Sequence, residues 1–263
     1  GRLWQSGLTG LIIAAHWITF FLSIHYSNVS FALILFSTTS LFTSFLEPLL
    51  MRKRFSASEL VMGVLVIAGI SVISYDAIVS LISDVQGMPS NVTEPLTGLA
   101  PNYPMAILCA LISAFLAAFF SVLNAIYVRD SDSVTITFVE LAAGAIGLAI
   151  FYGATGELTV ESLTISTSDF YLLLLLGVVC TAFAFFMGNW LMKFITPFTM
   201  NLNINMEPIY AIILALIIFG QSEVMSVTFY LGATLIIGAI VMNAWWKGRN
   251  AKRSVVSDVI DDK

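Results

Sequence analysis

The stretch that decides the fold of this chain is NLNINMEPIYAIILA, residues 201–215. It lies inside a long apolar run, and yet it carries three asparagines, a glutamate and a proline. Over the whole chain, hydrophobic residues make up 59% and charged residues only 10%, whereas a soluble globular domain has about 25% charged residues. The sequence therefore predicts an all-α polytopic membrane protein, in which every polar residue within an apolar run needs a specific reason.

Eight apolar segments have the length of a membrane-spanning helix, since roughly 20 residues at 1.5 Å each cross a hydrocarbon core of about 30 Å. They are residues 8–25, 29–51, 58–80, 105–128, 133–153, 168–192, 199–219 and 224–246. Most connections are short, but residues 83–104 hold four prolines, two acids and no base, and are expected to form a loop. Residues 247–263 form a polar tail that we expect to be disordered.

The basic residues all fall on one side of the membrane if the segments cross alternately. They are Arg2, Arg52, Lys53, Arg54, Arg129, Lys193, Lys247, Arg249, Lys252, Arg253 and Lys263. The charged residues on the other side are all acidic, namely Asp84, Glu94, Glu157, Glu161, Asp169 and Glu223. By the positive-inside rule the basic side is cytoplasmic, so the C-terminal tail is expected inside and the 83–104 loop outside. A wrong segment count would scatter the bases, so this clean separation supports the count as well.

Two parts of the chain, residues 25–73 and 192–242, share one order of elements: a link, a polar-centred helix, a second link and a glycine-spaced helix. In this alignment Thr39 and Ser40 correspond to Glu207 and Pro208. In the first copy, the polar-centred helix is followed by three basic residues, 52–54. In the second copy, it is followed by GQSE, residues 220–223, which contains an acid and no base. The copies therefore point in opposite directions, and an inverted repeat of this kind places a binding site near the bilayer midplane.

The glycine-spaced helices align through Gly63 and Gly69 in the first copy and Gly232 and Gly238 in the second, with one inserted residue. Glycines at this spacing favour close helix packing.

The repeat predicts how the chain is organised. Residues 1–82 are expected to be a first repeat with three helices, and 105–246 a second repeat with five. The external loop 83–104 joins them and the cytoplasmic tail 247–263 follows. An odd number of helices per repeat is what inverts the second copy, and the second repeat has five, so we expect two further helices before Gly1 and ten in the intact protein.

The chain resembles the EamA-type transporters of the drug/metabolite transporter superfamily. The resemblance rests on residues 10–50 with ELVMGVLVIAGI, and on TPFTMNLNINMEPIYAIILALIIFGQSE with LGATLIIGAIVM. It implies a ten-helix carrier of the bacterial inner membrane, many relatives being exporters of amino acids or other small metabolites. The departures are the two absent helices, the long outside loop and the lack of the usual Gly-Glu turns.

Two glutamates, Glu207 and Glu140, lie well away from both ends of their predicted membrane segments. Each is about seven or eight residues from the end that the charge pattern places inside, so roughly 12 Å deep at 1.5 Å per residue. A charge at the bilayer centre costs about 2.5–3.5 kcal/mol on insertion scales. Two carboxyl groups at one level could share a proton, or each could be a neutral hydrogen-bonded link between helices. Glu47 lies close to residues 52–54 and is expected to pair with those bases.

Pro208 cannot donate a hydrogen bond to the carbonyl of Ile204, so the sequence predicts a helix break there. On a regular helix Asn203 shares a face with Glu207 and could line a cavity, or it could link neighbouring helices by hydrogen bonds. The repeat brings Thr38 and Thr39 toward the same place from the other half.

Further substrate-pathway candidates are His16 and Trp17, midway along the first segment, and Asn124, near an inner end. Each has a structural alternative, since His16 could be a satisfied core residue and Asn124 could lie at the membrane interface. Asn189 and Trp190 lie near an inner end as well, and Cys109 and Cys180 are expected to be small buried hydrophobes. No phosphate-binding loop, metal-ligand spacing or nucleophile motif is present, so no cofactor or metal and no enzymatic activity is expected.

The sequence thus favours a secondary carrier for a small polar metabolite, in which Glu207 or Glu140 could exchange protons. The expected partners are a small-molecule substrate and the lipid bilayer, with a homodimer left open and no nucleic acid. Two other readings remain at this stage. A membrane scaffold would lack a central polar site, and an intramembrane enzyme acting on lipids would need a catalytic set of residues.

Overall fold

The computed structural model describes residues 3–52, 61, 64–73, 75, 102–128, 132–159, 164–197, 200 and 207–261. Within these ranges the secondary structure is helical throughout. The helices are α1 (Leu3–Tyr26), α2 (Val29–Phe36), α3 (Thr39–Met51), α4 (Val64–Ile73), α5 (Tyr103–Tyr127), α6 (Ser133–Thr155), α7 (Thr167–Leu175), α8 (Ala184–Leu191), α9 (Glu207–Phe219) and α10 (Val227–Asp261).

Five stretches are long and apolar enough to cross a membrane, namely Leu3–Tyr26, Val29–Met51, Tyr103–Tyr127, Ser133–Thr155 and Thr167–Leu191. Shorter apolar helices occupy Val64–Ile73, Tyr210–Phe219 and Val227–Met242. Each of the predicted segments therefore contains a described helix, and the prediction of an all-α polytopic membrane protein is confirmed. Most of the 83–104 loop lies outside the described residues.

The second predicted segment is not one continuous helix, because it is interrupted at Ser37 and Thr38 between α2 and α3. The hydroxyl groups there donate to backbone carbonyls three residues earlier: Ser37 to Ile34 at 2.6 Å and Thr38 to Leu35 at 2.7 Å. Short hydroxyl side chains that bond the preceding turn in this way compete with the regular helical pattern. The sequence missed this interruption because hydropathy does not record it.

Two other segments also differ from the prediction. Between α7 and α8 the chain forms a π-helical stretch, Leu176–Phe183. The tail expected to be disordered is helical, since α10 runs to Asp261. Residues 247–263 contain no proline, and their one glycine, Gly248, costs only about 1 kcal/mol in a helix. The tail therefore contains no strong helix breaker.

The contacts between helices give their relative directions. Along α1, Ser23 bonds to the carbonyl of Ala106 and His16 lies at Ser113, so α1 and α5 are antiparallel. Gly10 of α1 packs on Glu140 of α6, and Ala14, one turn further on, packs on Gly144, so α1 and α6 are parallel. These directions are those of segments that cross alternately.

The ends of the segments gather in two groups. At one end Val128, Ile136 and Met192 form a buried cluster with Met51 packed against it. Arg52 and Lys193 directly follow Met51 and Met192 in the chain, so the structure brings these two bases to one end. At the other end the Asn102 N–H donates to the carbonyl of Tyr26 at 2.9 Å, and a second cluster includes Phe31, Tyr103 and Phe229.

Candidate functional site

A polar cluster lies among α5, α6 and α8, about 10 Å from the end of α6 that begins at Ser133. Its centre is Glu140, whose side chain is 0% exposed. Oε2 of Glu140 accepts a hydrogen bond from Nδ2 of Asn189 at 3.1 Å and one from Nδ2 of Asn124 at 3.3 Å. Asn124 Nδ2 also donates to Asn189 Oδ1 at 3.0 Å, and Asn189 Nδ2 donates to Thr137 Oγ1 at 3.0 Å. Four side chains from three helices therefore form one network.

Within the described part of the chain, three buried oxygen atoms at this end of the bundle find no hydrogen-bond partner: Glu140 Oε1, Asn124 Oδ1 and Ser133 Oγ. Ser133, Thr137 and Glu140 lie on one face of α6, since they are spaced by four and three residues. Unpaired polar atoms of this kind are costly in a buried site. The network is therefore incomplete as it stands, and two of its unpaired atoms are oxygens that can only accept unless a hydrogen is added.

The position of Glu140 depends on how α6 is fixed. Asp132 caps the helix: it accepts from the backbone N–H of Thr135 at 2.9 Å and from the Thr135 hydroxyl at 3.1 Å. The Thr135 backbone bond, with the hydroxyl bond beside it, lowers the pKa of Asp132 below its ordinary value. Further along, Gly10 lets α1 pack directly on the backbone of Glu140, because a Cβ at Gly10 would collide with the Glu140 carbonyl oxygen.

A second buried polar group lies deeper in the bundle, where α1 meets α5. His16 is 8% exposed, and its Nδ1 lies 3.1 Å from the carbonyl oxygen of Ser113 and 2.8 Å from the Ser113 hydroxyl. A carbonyl can only accept, so the geometry favours a hydrogen on Nδ1. Phe36 stacks on the imidazole with ring centroids 5.3 Å apart, and Phe120 lies at 5.7 Å. The residue is thus held on one side by a polar contact and on others by aromatic rings.

Trp17, the neighbour of His16, contacts Phe185 edge to face with ring centroids 5.9 Å apart. The repeat alignment that matches Thr39 with Glu207 also matches Trp17 with Phe185. Two equivalent residues can touch each other only near the pseudo-two-fold axis that relates the repeats. The contact is thus expected at the interface between the two predicted copies. Phe185 also stacks on Phe120 at 6.0 Å.

The two threonines predicted for the pathway are buried, with Thr38 at 0% and Thr39 at 4% exposed. The Thr39 hydroxyl donates to the carbonyl of Phe36 at 2.6 Å, so both hydroxyl hydrogens are used within their own segment. Thr39 begins α3, and its aligned residue Glu207 is the first described residue of α9.

Glu207 is not brought to the Glu140 cluster. Its side chain is exposed in this chain, and within the described residues no hydrogen bond to it is found. Pro208 follows Glu207 in α9, and the six residues before Glu207 lie outside the described part of the chain. Asn203 and the predicted break before Pro208 fall outside the described residues, so both stay predictions. Glu47 is buried at 7% exposure and is engaged in an interaction.

Sequence reasoning named Glu140 and Asn124 as pathway candidates, noted Asn189 only as a residue near an inner end, and did not consider Thr137. The available signal was spacing, since Thr137 and Glu140 are three residues apart on one helix face. Asn189 is 2% exposed, and only the packing of α8 against α6 shows this. Cys109 is buried as expected, whereas Cys180 is exposed. Among the described residues, no group of His, Cys, Asp and Glu could hold a metal ion.

The helices and this buried network define a multi-pass membrane protein with a polar site inside its membrane-spanning region. A sequence profile described as the EamA-like transporter family matches residues 104–245, more than half of the chain. The chain belongs to the EamA-like transporter family.

A solved crystal structure of a protein described without further detail has a related fold, with a TM-score of 0.60 and 17% sequence identity. The match covers 94% of this chain and 78% of that one, so the likeness extends well beyond the residues of the family profile. A comparison with curated proteins gives no match.

Proposed function

We propose that this chain is a secondary carrier for a small polar metabolite that works by alternating access and exchanges protons at Glu140. Membership of a transporter family supports the class of activity. The observation that carries the proton site is the state of the Glu140 carboxyl, which is fully buried and whose described hydrogen-bond donors are neutral amides. Buried ionised carboxylates are costly without a compensating positive charge, so a bound proton is the simplest way to neutralise it.

The unpaired atoms support the same conclusion. Oε1 of Glu140 and Oδ1 of Asn124 both lack a partner, and Asn124 already reaches the other carboxyl oxygen through its Nδ2. A proton on Oε1 of Glu140 would remove the buried charge and make that atom a hydrogen-bond donor, while both amide hydrogen bonds to Oε2 stay in place. A conformational change that admits water to the cluster would then release the proton.

The proposed substrate path follows the interface marked by Trp17 and Phe185. His16 offers a titratable polar group there, and the aromatic rings around it offer flat apolar surfaces. Thr38 and Thr39 lie at the junction between α2 and α3, and Glu207 is the residue of the second repeat that aligns with Thr39. These groups suit a small metabolite with polar and apolar parts, and an amino acid is one such compound.

We further propose that the protein resides in a bacterial inner membrane with its basic end in the cytoplasm. The structure supports this through the common location of Arg52 and Lys193 at one end of the bundle, which the positive-inside rule makes cytoplasmic. Glu140 then lies closer to the cytoplasm than to the outside, and His16 lies between Glu140 and the external end.

The test uses the full-length protein in liposomes that contain a pH-sensitive dye, with amino acids, nucleosides and sugar derivatives as candidate substrates. We expect at least one compound to drive a proton flux in the native protein. Glu140→Gln should abolish that flux while the protein remains folded, because glutamine places an amide donor where the protonated oxygen would be. Glu157→Gln, which changes an exposed carboxylate beyond the end of α6, is the matched control and should behave like the native protein.

A proton flux that survives Glu140→Gln would refute the proposed role of this residue. Substrate binding can be measured separately by thermal shift, since a ligand at a hundred times its Kd stabilises the folded state by about 2.7 kcal/mol. A compound that binds both proteins equally but moves protons only with Glu140 would assign the substrate site and the proton site to different residues.

A further inference from the structure

The buried face of α6 is polar along its first turns. Of its five buried residues three carry a side-chain oxygen, namely Ser133, Thr137 and Glu140. They are spaced by four and three residues, so they form one row along the helix. Asp132, which is exposed and caps α6, directly precedes Ser133. The row therefore leads from the exposed start of α6 to the Glu140 carboxyl. We call Ser133 and Thr137 the hydroxyl row.

The hydroxyl row passes an apolar layer at the basic end of the bundle. This layer is the buried cluster that includes Val128, Ile136 and Met192. Each of these three residues lies three or four positions nearer that end than the residue of its own segment in the Glu140 cluster. Apolar side chains cannot carry a proton, because none of their atoms can bind one. Polar atoms across the depth of this layer are therefore supplied by the two hydroxyl groups, whose residues are 2% and 6% exposed.

The Thr137 hydroxyl is used differently from that of other helical threonines. Thr9 and Thr19 each donate to the carbonyl four residues earlier, at 3.0 and 2.9 Å. Among the described residues Thr137 makes no such bond, and its Oγ1 instead accepts from Asn189 Nδ2 at 3.0 Å. Its own hydrogen is therefore available to an acceptor beside the Glu140 carboxyl.

Both ends of the row have an oxygen that the described protein atoms leave unpaired. These oxygens are Ser133 Oγ, next to the exposed cap, and Oε1 of Glu140. Buried polar atoms without a protein partner are the atoms that ordered water molecules satisfy. The two ends therefore suit a water molecule each.

The gaps along the row have the size of single water molecules. Residues four apart on a helix are separated by about 6 Å along its axis, and a water molecule with two hydrogen bonds of about 2.8 Å spans nearly the same distance. Thr137 Oγ1 and Glu140 Oε2 share one donor, Asn189 Nδ2, at 3.0 and 3.1 Å. At most one water molecule therefore separates the threonine from the carboxyl group.

Beyond Glu140 the arrangement is different, because α1 and α6 are in close backbone contact there. A Cβ at Gly144 would lie 3.1 Å from the carbonyl oxygen of Gly10 and 3.9 Å from the Cβ of Ala14. This spacing leaves no room for water between the two helices. Within the described part of the chain, the side chains that bond the Glu140 carboxyl from α5 and α8 are neutral amides, and α1 meets its backbone with a glycine.

We propose that Ser133 and Thr137 carry protons between the basic end of the protein and Glu140, with one water molecule at each gap. The proposal rests on the proposed proton exchange at Glu140 and names its route. A hydronium ion at the exposed end gives a proton to Ser133 Oγ, whose own O–H bond breaks as its hydrogen passes to the next water molecule. Thr137 repeats this step, and the last hydrogen forms an O–H bond with the Glu140 carboxylate. One proton enters, one arrives, and each hydroxyl keeps one hydrogen.

The experiment follows the protonation of Glu140 itself by time-resolved infrared spectroscopy after a pH jump. The full-length protein is held in lipid nanodiscs, and the carboxyl band of Glu140 is the band that Glu140→Gln removes. Two quantities are measured, the pH midpoint of this band and the rate at which it appears. A residue on the proton route changes the rate, whereas a residue that only shapes the site changes the midpoint.

Thr137→Val keeps the shape of the side chain and removes its hydroxyl, so it should slow the protonation at least about tenfold. Thr137→Ser retains a hydroxyl and should react at nearly the native rate. Ser133→Ala should be slow as well, yet no less stable, because the hydroxyl that it removes has no described partner. The matched control is Thr9→Val, since Thr9 is 0% exposed and its hydroxyl is bonded within α1. It should keep the native rate.

The double variant of Ser133→Ala and Thr137→Val should be about as slow as the slower single variant, because both residues lie on one path. Native rates in both single variants, beside a Glu140 band that titrates, would overturn the route and leave the proton site in place. A shifted midpoint at an unchanged rate would also overturn it. A Glu140 band that does not respond to pH would refute the proposed proton exchange and the route together. If Thr137→Val does not fold, the rate in Ser133→Ala decides alone.

Discussion

Substitution of Gly10 by alanine is expected to disrupt the crossing of α1 over α6. The added Cβ would collide with the carbonyl oxygen of Glu140, and it would lie 2.9 Å from the carbonyl carbon and 3.0 Å from the Cβ of Ala143. Favourable contacts between carbon atoms lie at about 3.5–4.0 Å. Because the obstructing atoms belong mostly to the backbone, they cannot rotate away, and α1 must move off α6 by about 1 Å.

The expected destabilisation is about 2–3 kcal/mol, the upper half of the range for overpacked cores. Gly7, one turn earlier on the same helix, is the matched control, because a Cβ there meets no described atom within 4 Å. Gly7→Ala should stabilise by about 0.5–1 kcal/mol through helix propensity alone. For a protein of this size 1 kcal/mol corresponds to roughly 2–4 °C in Tm.

The assay is thermal unfolding of the two variants in the same detergent. Gly10→Ala should lower Tm by about 4–12 °C, and Gly7→Ala should raise it by about 1–4 °C. Equal Tm values for the two variants would show that α1 does not pack on the Glu140 backbone as described. The whole geometry of the Glu140 cluster would then need revision, since α6 is positioned by that contact.

Three further outcomes are expected. Asn189→Ala removes a donor from Glu140 and leaves Asn124 with one partner fewer, so it should lower the unfolding free energy by about 1–3 kcal/mol, measured by thermal denaturation; no loss would mean that the network is not formed. The ionised Asp132 stabilises the folded state at pH values above its unfolded pKa of about 3.9, and this stabilisation is lost as the pH falls through its lower pKa in the folded state. Asp132→Asn should therefore remove this part of the dependence of Tm on acid pH. An unchanged profile would contradict the helix cap. Arg52 has a left-handed backbone conformation with φ of 54°, which glycine adopts more readily than other residues. Arg52→Gly should therefore raise the unfolding free energy by about 1 kcal/mol, whereas Arg52→Ala should not. An alanine variant that is also stabilised would contradict this account.

The sequence by itself determined the class of protein and the approximate positions of its apolar helices. Hydropathy suffices for these because a helical protein that crosses a bilayer needs apolar helices of about 20 residues. Glu140 was found because a carboxylate in an apolar run is unusual.

Only the tertiary structure decided which polar residues meet. Asn124 and Asn189 are 65 residues apart in the chain. The sequence around neither residue predicts that both donate hydrogen bonds to the Glu140 carboxyl group. Glu207 and Glu140 looked equivalent by depth, yet one is exposed in this chain and the other is enclosed, because enclosure depends on which neighbouring helices pack there. Gly69 and Gly238 are equivalent in the repeat, but one packs tightly and the other does not. The position of a residue along its helix follows from the sequence. The direction in which its side chain points, toward another helix or away from the bundle, depends on how the helices pack.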